Sequence, residues 1–281
     1  MTRLVMTLLV RDEVDIVRQN LEFHLQHGVD HVIATDNGSR DGTVEVLEEF
    51  AARGLLTLIH EGDDDYAQGR WVTRMARMAQ VEQGADWVIN NDADEFWWAE
   101  QGDLKESLGK LTEESNVVVA ERSNFVPLED DERPFFERMV YRHVRSLNPL
   151  GAPLPPKSCH RGHGDVTVHQ GNHGLSWDWP LRVEETQPIE IFHFPMRSFG
   201  QFENKIRLGG AAYGRNVELP QGIGRTWRLL YEELQQGRLL EHYESQRFDG
   251  ERLSGGLADG SVVQDRRLCE VLQTIASGAL L

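Results

Sequence analysis

Apolar positions in the first hundred residues follow two alternating rhythms. Leu4 to Val10 is an apolar run broken only by Thr7, the length of a buried strand. Val14, Val17, Leu21 and Leu25 then recur at helical spacing until Gly28, with Asp12 as the expected N-cap. Val29 to Thr35 reads as a second strand. The loop from Asp36 to Thr43 is dense in turn formers, and Asp41 is placed to cap a helix carrying Val44, Leu47 and Ala51. Leu55 to His60 reads as a third strand, Trp71, Met75, Met78 and Ala79 mark a third helix, and Asp86 to Ile89 is a fourth short apolar run. The order β-α-β-α-β-α-β predicts an α/β fold: a Rossmann-like, mostly parallel sheet flanked by helices.

The pattern changes after a further short strand at Val117 to Ala120. Six prolines between Asn124 and Pro156 break the periodicity, and Arg133, Arg138, Arg142 and Arg145 accumulate there. Histidine and tryptophan then dominate: His160, His163, His169, His173, Trp177, Trp179 and His193. Ile189 to Phe192 reads as a strand, Phe199 to Gly210 as a helix, and Arg225 to Glu244 as one or two amphipathic helices. Three parts follow from these shifts: residues 1–123, a mixed part at 124–215, and a helical tail at 216–281.

In open α/β sheets ligands bind outside the carboxyl ends of the strands. Three polar loops fall there: Arg11-Asp12-Glu13, Asp36 to Thr43, and Asp92 to Glu95. In an extended segment residues i and i+2 point to one side, so Asp92 and Asp94 can converge on one hard cation and leave positions open for phosphate oxygens. A solvated acidic turn is the plain alternative. Arg70 and Arg74, near the start of the third helix, are positioned to face a diphosphate or to lie on the surface.

Composition narrows the classes. The net charge of −17 disfavours nonspecific binding to nucleic acid or anionic membranes. No apolar run is long enough to span a bilayer, and the apolar start is too short for a signal-peptide core. Two cysteines far apart, Cys159 and Cys269, suit a reducing cytoplasm.

Leu-Val-Arg-Asp-Glu at 9–13, Asp36 to Thr43, and Asp86 to Phe96 together resemble a GT-A-type glycosyltransferase of the soluble, family-two-like bacterial branch. A looser similarity, Ile191 to Phe199, matches a C-terminal histidine segment. The resemblance implies a nucleoside-diphosphate sugar donor, a sugar or small-molecule hydroxyl acceptor, and Mn²⁺ or Mg²⁺. It implies nucleotide contacts for Glu13 and Asp36, a donor-and-metal role for Asp92 and Asp94, and a third ligand in His193. It also implies inversion at the anomeric carbon. The family's Q-x-x-R-W acceptor motif is missing, since Gln221 to Trp227 has the wrong spacing, so a non-processive enzyme is expected.

Each role has a structural rival. Asp36 can cap its own turn, Glu13 can favour a helix N-terminus, and His193 can be a hydrogen-bonded core residue. Asp165 and Asp178 are the expected proton acceptors, and Trp177 and Trp179 are expected to stack on the acceptor sugar. Two other activities stay open. A hydrolase would use a metal held by the histidine-rich second half. A nucleotidyltransferase would want a glycine-rich loop where Arg11 to Val14 stands.

Overall fold

The computed structural model describes residues 2–63, 67–216, 220 and 222–278. The first strands and helices alternate as the periodicity predicts: β1 (Leu4–Val10), α1 (Val17–Gln26), β2 (His31–Asp36), α2 (Thr43–Ala52), β3 (Leu56–His60), α3 (Gln68–Val81) and β4 (Trp87–Asp92). Then come β5 (Glu95–Ala99), α4 (Leu104–Gly109), β6 (Val117–Asn124), α5 (Phe135–Arg138), β7 (Tyr141–His143), β8 (Lys157–Arg161), β9 (Thr167–Val168), β10 (Leu175–Ser176) and β11 (Ile189–His193). The rest is α6 (Phe199–Arg215), α7 (Arg225–Gln235), α8 (Leu239–Gln246), α9 (Gly250–Asp259), β12 (Val262–Gln264) and α10 (Arg267–Ala276).

Eight strands form one sheet in the order β3-β2-β1-β4-β8-β6-β11-β5. The first four are parallel, as strands joined by helical crossovers are. The sheet turns antiparallel at β8, which pairs with β4 on one side and β6 on the other. The sheet is therefore mixed; only its first half is the parallel one read from the sequence.

Helix α3 covers one face. Its Val72, Met75, Ala76 and Ala79 pack on Val5, Ile33 and Val88, and Val166, Val168 and Leu175 extend that core. On the face carrying α1, Phe23 meets Phe96 edge-on and lies over Trp98. Gly162, just beyond β8, has no room for a side chain: a Cβ there would stand 1.9 Å from the Ala85 carbonyl oxygen.

Two compact units result. The first holds residues 1–122 and 155–191, the second residues 123–154 and 192–281. The proline-rich stretch thus belongs with the C-terminal part, while the histidine-rich stretch to residue 191 returns to the sheet. Within the second unit, β12 pairs with β7. Phe202, Ile206, Leu230, Leu239 and Tyr243 form a helical core, with Gly209 and Gly210 of α6 admitting Trp227 and Tyr231.

One expected cap is not made. α1 begins at Val17 without a side-chain cap, because the Asp12 carboxylate is drawn away and accepts from the Arg40 amide at 2.7 Å. Asp12 itself sits at φ +52°. Asp41 is not the N-cap of α2 either: Gly42 holds that position without a side-chain cap, and the Asp41 carboxylate accepts from the Thr43 amide at 3.0 Å in the turn before it.

Candidate active site

The parallel register brings the three loops to one edge. Val10 lies opposite Asp36, and Leu9 lies opposite Asp92. The loops after β1 and β2 are tied together. The Asp12 amide donates to Ser39 Oγ at 2.9 Å, the Glu13 amide to Thr43 Oγ1 at 2.9 Å, and the Val14 amide to Asp41 Oδ2 at 3.0 Å.

Asp92 ends β4, and Ala93-Asp94 forms a tight turn before β5. The two carboxylates are therefore set by a turn and not by strand alternation. That turn is held from α1. Asn20 Nδ2 donates to the carbonyls of Ala93 and Glu95, on either side of Asp94, at 3.0 and 2.7 Å. Asn91 Nδ2 donates back to Asn20 Oδ1 at 3.0 Å, and Trp97 Nε1 donates to Asn91 Oδ1 at 3.0 Å. His24 completes the clamp. Its Nε2 accepts from the Trp97 amide, so its Nδ1 carries the proton and donates to the Asn20 carbonyl at 2.8 Å. Burial holds this imidazole at about 3, so it is neutral.

Both oxygens of Asp92 have partners. Oδ2 accepts from the Lys157 ammonium, and Oδ1 accepts from Asn172 Nδ2 at 3.0 Å. Lys157 also donates to the Gly171 carbonyl at 2.8 Å and lies 3.4 Å from Glu95 Oε1. Arg122 reaches the same Glu95 oxygen at 3.1 Å. The Lys157 side chain is 1% exposed, while that of Asp92 is 31% exposed. Two cations and two carboxylates thus form a neutral group, with Asp94, itself buried, in the adjoining turn.

Gln170 to Asn172 lie over Asp92 in a strained turn, with Gly171 at φ +78° and Asn172 at φ +60°. The start of α3 grips it: Gln68 Oε1 accepts from the Gly171 amide at 2.9 Å, and the Gly69 amide donates to Gln170 Oε1 at 3.0 Å. Asn172 is buried, and its Oδ1 has no hydrogen-bond partner among the described residues. The His173 ring lies against Gly171 and donates from Nδ1 to the Pro156 carbonyl at 3.0 Å. Desolvation first, then the charges of Lys157 and Arg122, lower this histidine to about 4.

The other expected residues divide by place. Asp36 is buried and accepts from the Gly38 and Ser39 amides at 3.0 and 3.2 Å, capping its own turn. Glu13 is buried at the start of α1, where its carbonyl accepts from the Ile16 and Val17 amides. Arg70 pairs with Asp63 at 3.2 Å and Arg74 with Glu61 at 3.4 Å, both on the surface. His193 belongs to the second unit, with Nδ1 2.6 Å from Asn124 Oδ1. Gln221 lies outside the described residues.

Asp165 and Asp178 are exposed and stand elsewhere. The Val166 carbonyl next to Asp165 accepts from Arg77 Nε at 2.8 Å. Arg77 is eight residues along α3 from Gly69, or about 12 Å at the helical rise. Asp178 lies between Trp177 and Trp179, which cluster with His163. Trp177 also meets His160, which pairs with Val88, about 13 Å back along β4 from Asp92 at the strand rise. These residues mark the opposite end of the sheet from the carboxylates.

The donor chemistry fits a hard divalent cation. Each Asp92 oxygen keeps a lone pair beyond its one hydrogen bond, and a carboxylate or two plus substrate phosphates is the usual protein share of a Mg²⁺ site. Among the described residues no group of three or more His, Cys, Asp or Glu is arranged to hold a metal ion. The histidine-rich segment, read above as a hydrolase's metal site, therefore supplies no such group among them.

The family model described as Glycosyl transferase family 2 matches residues 10–159, more than half of the chain. No curated protein matches it in sequence. The crystal structure of S. aureus TarS 1-349 in complex with UDP aligns over 99% of this chain and 92% of that chain, with 12% identity and a TM-score of 0.46. Against the longer S. aureus TarS structure the shares are 84% and 47%, with 11% identity and a TM-score of 0.45, so the chain spans about half of that structure. Glucosyl-3-phosphoglycerate synthase from Mycobacterium tuberculosis, in complex with Mn²⁺, UDP and glucosyl-3-phosphoglycerate, aligns over 43% of this chain and 44% of that chain, with 17% identity and a TM-score of 0.31. Likeness at this level carries no residue role from one chain to the other.

Proposed function

The chain belongs to glycosyl transferase family 2, and on that premise we propose that it moves a sugar from a nucleoside-diphosphate donor to a hydroxyl acceptor, with Mn²⁺ or Mg²⁺ held by Asp92 and Asp94. The observation that carries this reading is the register. Asp92 leaves β4 level with the loops after β1 and β2, all within the matched segment. When bound, the cation neutralises charge on the leaving diphosphate.

The chain's own residues orient that site. Lys157 and Asn172 fix the Asp92 carboxylate, and Asn20 fixes the turn that presents Asp94. Asp36 acts by shaping the loop it caps, and Glu13 stays assigned to the nucleotide side. Arg70 and Arg74 exchange weak surface pairs for the diphosphate, since exposed ion pairs are worth only about 0–1 kcal/mol. We place acceptor deprotonation at this end of the sheet. His173 is neutral there and about as basic as a carboxylate, with Nε2 in its acceptor form. Inversion and non-processive transfer complete the reading. The two cysteines, free and buried, suit a reducing cytoplasm. No helix among the described residues is long and apolar enough to cross a membrane.

A thermal-shift screen of UDP-, GDP-, CMP- and dTDP-sugars with Mn²⁺ tests the reading. A ligand at a hundred times its Kd adds about 2.7 kcal/mol to native stability, a rise of several degrees. If no nucleotide raises the melting temperature with any divalent ion, the reading is wrong.

A further inference from the structure

Lys157 is one of only four lysines in a chain rich in arginine, and it enters β8 opposite Ala120 of β6. Extending the antiparallel register of β4 and β8 by two residues from Ile89–Cys159 brings it level with Asn91, beside Asp92. Its three ammonium protons have three acceptors: Asp92 Oδ2, the Gly171 carbonyl at 2.8 Å and Glu95 Oε1 at 3.4 Å. A compact ammonium suits this tripod better than a planar guanidinium.

We propose that Lys157 is the resident cation of the carboxylate site: it holds Asp92 as an oriented, charge-compensated acceptor and keeps the nucleotide-free protein a poor binder of divalent ions, so that the ion enters with the diphosphate. The proposal rests on the metal role given above to Asp92 and Asp94. Three observations carry it. The Lys157 side chain is 1% exposed, so an incoming ion competes for Asp92 with a buried, desolvated partner. Asp92 and Glu95 are already balanced by Lys157 and Arg122, so an incoming ion meets carboxylates whose charge is compensated. No group of three or more ligating side chains is formed among the described residues, so water or phosphate oxygens must complete the coordination shell. A bound diphosphate supplies such oxygens together with negative charge.

The test is titration of MnCl₂ into protein without nucleotide, followed by the free-ion EPR signal, for the wild type, Lys157→Met and Asn172→Ala. Removing the ammonium leaves Asp92 and Glu95 undercompensated, and affinity for Mn²⁺ is expected to rise about tenfold or more. Asn172→Ala keeps the ammonium and is expected to stay within about twofold of the wild type, a neutral hydrogen bond being the smaller loss. Unchanged or weaker Mn²⁺ binding in a folded Lys157→Met protein overturns the proposal, as does an equal rise in both variants, which would trace the effect to loosening and not to charge. If Lys157→Met does not fold, the wild type decides. UDP, GDP or dTDP should tighten Mn²⁺ by about tenfold or more, by reciprocal linkage; binding equally tight without nucleotide overturns the proposal. Loss of this effect while a nucleoside diphosphate still binds refutes the Lys157 role alone. Failure of both Mn²⁺ and nucleotide to bind refutes the donor-site reading, and this role with it.

Discussion

Asp92 and Asp94 are separated by one residue in sequence yet stand in different settings. Asp92 is part-exposed and pinned at both oxygens, while Asp94 is buried in the turn. Substitution of Asp94 by Ala should remove a metal contribution of several kcal/mol and lower transfer by about 10²-fold or more, with a small change in melting temperature. A steady-state assay of nucleoside-diphosphate release checks it. Asp165→Asn and Asp178→Asn should behave oppositely. Both are exposed at the far end of the sheet, where substitutions usually stay within about 0.5 kcal/mol, so activity should hold within about threefold. A large loss in either would return the proton acceptor to that aspartate. At this scale the acidic pair was legible because a short apolar strand ran straight into it. Lys157 and Asn172 were not, since they reach Asp92 across 65 and 80 residues of chain. The signal for Lys157 was slight: a lone lysine after two prolines, at the head of a short polar stretch, Ser158 to Arg161.

Among the elements, α1 does more than cover the sheet. Its Asn20, His24 and Phe23 face the turn and β5, so one helical face carries the clamp on Asp94. Asn20→Ala would leave the Ala93 and Glu95 carbonyls and the Asn91 amide without their partner. A buried group losing its partner costs about 1–3 kcal/mol, and urea denaturation should show a loss in that range with reduced transfer. Neutral stability would mean that the turn holds itself. The helical spacing of Val17 and Leu21 revealed this helix, but periodicity is blind to which polar residue points inward. It also missed the switch to antiparallel pairing at β8, because strand direction is set by the path of the chain between strands and not by the strand's own pattern.

For the whole molecule, the units are discontinuous in sequence. No composition shift announces that residues 155–191 lie with the sheet; pairing with β4 and β6 decides that. Acid stability is a property of the whole fold. His24 and His160 are fully buried and neutral, with burial lowering them to about 3 and about 4. The unfolded chain binds a proton at each near pH 6.5 and the native state does not. Stability should therefore fall as pH drops from about 6.5 toward 4, by about 1.4 kcal/mol per pH unit for each histidine. Denaturant midpoints at pH 7, 6 and 5 should show it, and a flat profile would contradict the buried neutral state.

The central claim is that Asp94, in the turn after β4, takes part in holding a nucleoside diphosphate through a divalent ion. Calorimetric titration with UDP, GDP and dTDP in Mn²⁺, on the wild type and on Asp94→Ala, addresses it most directly. The expected result is saturable binding of at least one nucleotide by the wild type and a loss of about tenfold or more in the variant, the equivalent of about 1.4 kcal/mol or more. Equal affinity in the two proteins would contradict the account.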